Sequence, residues 1–257
     1  MRVKVFRNVV WTTASLMALL ALAAPARAQQ RETERVDRTI AFSAGGSVTL
    51  KNFSGAVRIT GTDRNEVVIH AVRRAPRERL DRIKLDIQAS GTRLTIDANK
   101  RVDDSWWSLH GSNVVETEFE IEVPARTDLD VKVFSSDVRV EGVEGRHEVH
   151  SFSGNLTLLR VKGAIGAKSF SGDIEVTPAG TTEPELVLET FSGDITARLA
   201  EGSNGRVRFS SFSGDIQSDL PLTLHNKSRR TLDAQLGSGA GRDLRFKTFS
   251  GDVSIRK

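Results

Sequence analysis

The side chains most able to do chemistry come in columns. Asp137, Asn155, Asp173, Asp194, Asp215 and Asp252 each stand two residues after a serine, one of Ser135, Ser153, Ser171, Ser192, Ser213 and Ser250; in a seventh copy Ala56 follows Ser54. Carboxylates repeated beside hydroxyls admit two chemistries. One is calcium held between successive copies, with Asp173, Asp194 and Asp215 as the candidate ligands, and it needs six to eight oxygens per ion. The other is acceptance of backbone N–H groups at a turn beside glycine, the ordinary work of Asp and Asn. Stacked carboxylates about 4.8 Å apart repel by roughly 1 kcal/mol in water, so something must offset them. Turn amides are the expectation, and calcium should leave the melting temperature nearly unchanged.

Other candidates are fewer. His147 and His150 are three apart on an expected strand and so face opposite sides, which disfavours a metal pair. Trp106 and Trp107, in a polar loop, could stack on sugars or anchor a partner. The glycines of 237–241 lack the strand-to-helix setting of a nucleotide loop, and nothing calls for a cofactor. There is no cysteine, hence no thiol nucleophile and no disulfide.

What must position these groups is a repeat. Phe53, Phe134, Phe152, Phe170, Phe191, Phe212 and Phe249 each head a Phe-Ser segment, and from Phe134 to Phe212 the steps are 18, 18, 21 and 21 residues. Such a period marks a coil stacked on copies of itself. Five and three residues before the ring, and four and six after it, the columns are apolar except for His147 and Ser218. Spacing by two is strand periodicity with one buried face. A bend or bulge before the ring would turn it inward, with the following glycine leaving room for it. The reading is an all-β, parallel β-solenoid or β-helix-like stack of 18–21-residue coils. Its core would be the phenylalanine ladder, each ring contributing roughly 1.5–3 kcal/mol and costing roughly 3–5 kcal/mol on truncation. A sandwich of antiparallel hairpins is the competing architecture, but one motif at one period favours parallel stacking.

The rest divides around that stack. Residues 1–28 read as a cleaved export signal: Arg2, Lys4 and Arg7, an apolar run from Val9 to Ala24, then Ala26-Arg27-Ala28. The run is short for a membrane anchor and holds Thr12, Thr13 and Ser15. Residues 29–35 read as a flexible tether, 36–130 as an N-terminal antiparallel hairpin region capping the stack, and 131–257 as the repeat solenoid. Within the cap, a short helix is expected over Pro76–Arg82 and a hairpin at Ser90-Gly91. Residues 219–243 are either a degenerate coil or an excursion, and Val253 and Ile255 the closing strand. Four of the 37 basic residues and none of the 33 acidic ones lie in 1–28, which leaves the remainder at a formal net charge of zero. Nucleic acid is therefore not an expected partner, and no membrane span should persist after cleavage.

The recurring Ser/Thr-Phe-Ser-Gly-Asp-Ile/Val segments behind an export leader resemble the bacterial "putative adhesin" family of repeated Ser-Gly-Asp-Ile units. That resemblance implies a β-solenoid and surface attachment, and it brings no catalytic residues. The functional expectation is an exported, non-enzymatic adhesin-like or envelope scaffold module, placed in the periplasm, on the outer surface or secreted. It would present strand faces to a cell-surface polysaccharide or an envelope protein. A carbohydrate-active enzyme of parallel β-helix type would need unique acids and bases clustered on one face, and an envelope-stress regulatory component would need a bound regulator.

Overall fold

A computed structural model describes residues 31–102, 114–180, 184–238 and 241–257. The N-terminal part runs β1 (Arg31–Ala41), β2 (Gly46–Ser54), β3 (Val57–Thr62), β4 (Glu66–Pro76), helix α1 (Arg77–Arg82), β5 (Ile83–Ser90), β6 (Arg93–Arg101) and β7 (Glu116–Pro124). Coils of two strands follow: β8 (Thr127–Ser135) with β9 (Val138–Glu141), β10 (His147–Ser153) with β11 (Leu156–Val161), and β12 (Ile165–Ser171) with β13 (Ile174–Pro178). Next come β14 (Leu186–Ser192) with β15 (Ile195–Arg198), and β16 (Gly205–Ser213) with β17 (Ile216–Ser218). A hairpin, β18 (Leu222–Lys227) and β19 (Thr231–Leu236), precedes the last coil, β20 (Arg242–Ser250) with β21 (Val253–Arg256).

These strands form one sheet that turns at each Ser-Gly corner, giving two rows. The first row reads β5, β6, β2, β8, β10, β12, β14, β20, β16, β19, β18; the second reads β1, β4, β7, β3, β9, β11, β13, β15, β21, β17. Pairing between coils is parallel and in register, Leu129 to His147 to Ile165 to Leu186 along the first row. The inner faces share one core of mostly aliphatic side chains, among them Val149, Leu158, Ala167, Val176 and Leu188, with Phe246 as an aromatic member. The solenoid reading therefore holds.

Three expectations are corrected. The phenylalanine ladder is not the core. No bulge turns the ring inward; alternation runs on as far as the ring and breaks only after it, where the ring and the following serine are both exposed. The residue before each ring, Asn52, Val133, Ser151, Ser169, Thr190, Ser211 or Thr248, takes the inward place and is buried. The rings Phe53, Phe134, Phe152, Phe170, Phe191, Phe212 and Phe249 are 37–53% exposed. The inward place next to the corner holds only small or polar side chains because the two rows converge there, so a ring has room only outside. Nor does the glycine leave space for rings. At Gly193 (φ 147°) an added Cβ would lie 2.4 Å from the Gly172 carbonyl oxygen of the preceding coil, so this corner requires glycine, whereas the β8–β9 corner carries Ser136 in the equivalent place.

The second correction concerns order. The last coil inserts between earlier ones, with β20 paired to β14 on one side and to β16 on the other. Likewise β21 lies between β15 and β17. Val253 and Ile255 are thus interior, and the two rows end instead in β17 and β18. The β18–β19 hairpin, within the stretch 219–243, makes the excursion that allows this, since β19 pairs antiparallel with the outer side of β16 and carries β18 beyond it.

Third, residues 31–35 of the expected tether belong to β1, which pairs antiparallel with β4 from Arg31↔Pro76 onward. Arg73 of β4 is buried, pairs with Glu34 of β1, and donates to the Ile83 carbonyl at 2.5 Å. Elsewhere the N-terminal region follows its pattern: α1 begins after Pro76, and β5 and β6 form a hairpin across Ser90-Gly91.

Candidate functional site: an exposed phenylalanine ladder

In-register parallel pairing sets equivalent side chains one strand spacing apart, so rings excluded from the core stack on one another outside it. Centroid separations are 4.6 Å for Phe53–Phe134, 4.7 for Phe134–Phe152, 4.9 for Phe152–Phe170, 4.8 for Phe170–Phe191, 4.5 for Phe191–Phe249 and 4.8 for Phe249–Phe212. Planes beyond Phe134 are within 5° of parallel. The result is a stripe roughly 28 Å long, one ring per spacing. Ring faces are spent on neighbouring rings, so what meets solvent is a row of C–H edges, the positive rim of the aromatic quadrupole. At one end the Arg230 guanidinium lies 4.2 Å from the Phe212 centroid and caps the stack.

Two polar columns flank the stripe. Past the corner runs the Asp and Asn column, in which a side-chain oxygen of one rung accepts a backbone N–H from the next. Asp137 Oδ1 accepts from Asn155 (2.8 Å), Asn155 Oδ1 from Asp173 (2.9 Å), Asp173 Oδ1 from Asp194 (2.8 Å), Asp194 Oδ1 from Asp252 (2.8 Å) and Asp252 Oδ1 from Asp215 (2.8 Å). This is the amide reading, with the amide supplied by the adjacent coil, and it repeats the inserted order of the last rung. Among the described residues no group of three or more His, Cys, Asp or Glu side chains is placed to hold a metal ion.

Two residues before each ring, on the same outward face, stand Lys51, Lys132, His150, Lys168, Glu189, Lys247 and Ser210 in spatial order. The sequence carried this mostly basic column in the same alignment that revealed the rings. It is easily overlooked because outward positions answer to no core pattern. Between it and the rings, from His150 to Arg230, runs an open groove of about 750 Å³.

His147 and His150 do face opposite sides. His147 is buried, and its Nε2 lies 3.1 Å from the Lys162 carbonyl oxygen. Burial holds its imidazole below the usual range, with the carbonyls of Lys162 and Val143 pulling the other way. His150 is at the surface with Nε2 3.9 Å from Glu148, so the two cannot share a metal. Trp106 and Trp107 lie outside the described residues.

A coil built on Phe-Ser-Gly-Asp with glycine corners and an amide-to-Asp ladder is a recognisable unit, and residues 128–256 match one family as a whole. The chain belongs to the Toastrack DUF4097 family. None of the curated proteins matches it. Among solved structures, a putative cell adhesion protein from Clostridium sporogenes is similar at 10% identity and a TM-score of 0.48, over 88% of this chain and 99% of that one. A putative adhesin from Bacteroides fragilis is similar at 11% identity and a TM-score of 0.36, over 86% of this chain and 97% of that one. The Toastrack assignment agrees with the adhesin-like resemblance read from the repeated Ser-Gly-Asp segments.

Proposed function

We propose that this Toastrack protein is an exported, non-enzymatic binding module of the adhesin-like kind, and that it meets its partner along the phenylalanine ladder. One observation carries the reading: seven half-exposed rings in a single straight stripe. Soluble proteins seldom leave contiguous apolar area on this scale without a use for it. The six spacings are fixed by backbone pairing, so the stripe is rigid before binding and little entropy is lost on contact. An envelope protein suits it better than a polysaccharide, because sugars stack on aromatic faces and the ladder offers edges. Trp106 and Trp107 remain the proposed anchors for a glycan. Calcium bridging by Asp173, Asp194 and Asp215 finds little support, since the carboxylates of Asp173 and Asp194 already accept backbone N–H groups in the amide ladder, which Asp215 joins through its own N–H. Against catalysis stands the repetition itself: a column present on every coil answers to architecture, whereas an active site is a single constellation.

The test uses isolated cell envelopes and two variants in parallel, Phe134→Ser/Phe170→Ser/Phe191→Ser and Trp106→Ala/Trp107→Ala. Loss of envelope binding in the first, with folding kept, supports the ladder. Unchanged binding in the first and loss in the second would move the site to the tryptophans. Mass spectrometry of the protein recovered from its host addresses export, with Gln29 expected as the first residue; a retained leader would refute that part.

A further inference from the structure

We propose that the groove beside the last four rungs binds a single-chain anionic amphiphile, with its alkyl tail along the rings and its head group at Arg230 and Lys247. This goes beyond the adhesin-like reading and does not depend on it. One wall of the groove is Phe170, Phe191, Phe249 and Phe212; the other is the column two residues earlier; the β18–β19 hairpin, at Arg230 of its turn and Thr231 at the start of β19, closes one end. Three ring steps of 4.8, 4.5 and 4.8 Å give the aromatic wall a length of roughly 14 Å. An extended alkyl chain advances roughly 1.25 Å per carbon, from tetrahedral bonds near 1.5 Å. The wall therefore matches a tail of about eleven carbons.

Charge decides the head group and its position. Lys168 is paired with Glu189 at 3.5 Å, which neutralises the middle of the groove. At the closed end Arg230 lies over Phe212, and among the described residues neither Arg230 nor Lys247 has an ion pair. Two unpaired cations beside an apolar channel suit a carboxylate or sulfate attached to an alkyl chain. The same charges argue against a flat anionic bilayer lying over the ladder. That geometry would press Asp173, Asp194, Asp252 and Asp215, on the far flank of the rings, against the lipid phosphates. A single chain touches only the basic side.

The experiment is calorimetric titration of dodecanoate, below its micelle-forming concentration, into the purified protein, with dodecyltrimethylammonium as the same tail bearing the opposite charge. Saturable one-to-one binding of dodecanoate is expected, at least tenfold tighter than that of the cation. Arg230→Gln should weaken it at least tenfold. Ser210→Trp, which fills the groove from an exposed position, should abolish it. Phe53→Ser, at the opposite end of the ladder, should change it less than twofold. Absence of saturable binding, equal affinity for the two head groups, or unchanged binding by Ser210→Trp would overturn the proposal. So would co-sedimentation with phosphatidylglycerol vesicles that Ser210→Trp leaves intact, since that is the surface-lying mode. None of these failures bears on envelope binding by the ladder variants, so the two readings fall separately.

Discussion

Phe209 and Phe212 stand three residues apart on β16, and truncating each in turn tests the inside-out placement of the ladder. Phe209 is 7% exposed and belongs to the core; Phe212 is 53% exposed and belongs to the stripe. For Phe212 about 47% of a residue of roughly 200 Å² is covered, or about 95 Å². At about 25 cal/mol per Å² that is about 2.4 kcal/mol, trimmed by roughly 10–40% because the unfolded chain is itself partly compact. Stacking on the ring of Phe249 adds about 0.5 kcal/mol, and the Arg230 guanidinium over the other face adds about 0.5 kcal/mol. Phe212→Ala should therefore cost about 2.5 kcal/mol, and Phe209→Ala about 3–5 kcal/mol because it also leaves a cavity. Urea unfolding followed by circular dichroism measures both. In a chain of this size each kcal/mol moves the thermal midpoint by about 2–4 °C, so the two variants should separate clearly on heating as well. If Phe212→Ala proved as costly as Phe209→Ala or more so, the rings would be the core after all and the binding stripe would not exist.

Four further outcomes follow from the corners, the Asp column and the buried imidazole. Gly193→Ala should destabilise by more than about 3 kcal/mol, because strain at positive φ adds to the 2.4 Å approach to Gly172; Gly202→Ala (φ 87°, open space) should cost only about 1 kcal/mol. Asp194→Ala should cost about 1 kcal/mol through the lost bond to the Asp252 amide, while Asp194→Asn, which keeps the acceptor as Asn155 does, should stay within about 0.5 kcal/mol of wild type. Added calcium should leave the melting temperature of the wild type where it is, and a rise of many degrees would reinstate the ion-binding alternative. His147 is held neutral by burial, so its folded pKa lies below the unfolded value of about 6.5 and the unfolded chain takes up the proton first. Its contribution to stability is complete above that value and declines as pH falls through it. His147→Leu, which restores the aliphatic type found at this position in the adjacent coils, should remove that decline from the melting curve between pH 7 and 5.5, and an unaltered pH profile would refute the assignment.

Period-two spacing of Val149, Leu156 and Leu158 around Phe152 was enough to find the strands, the buried columns and the parallel stack, because alternation is a local property of an extended chain. The Asp column was equally legible, since a short acceptor beside glycine has few other uses. The ring's direction was not. Phe152 follows a buried serine, and a pattern search that expects apolar residues inside reads the ring as core and the serine as surface. Only the converging rows at the corner, which leave no width for a ring, reverse that assignment.

By itself the sequence determined the class of fold, the coil and the register, because identical motifs at one period can stack in only one alignment. Tertiary structure alone decided which face the rings occupy and where the last coil sits. Every rung carries nearly the same Ser-Phe-Ser-Gly-Asp surface, so nothing local forbids β16 from resting directly on β14. The β18–β19 hairpin, paired along the outer side of β16, leaves the returning strand β20 the slot between them, and thereby builds the closed end of the groove from Phe249, Phe212 and Arg230.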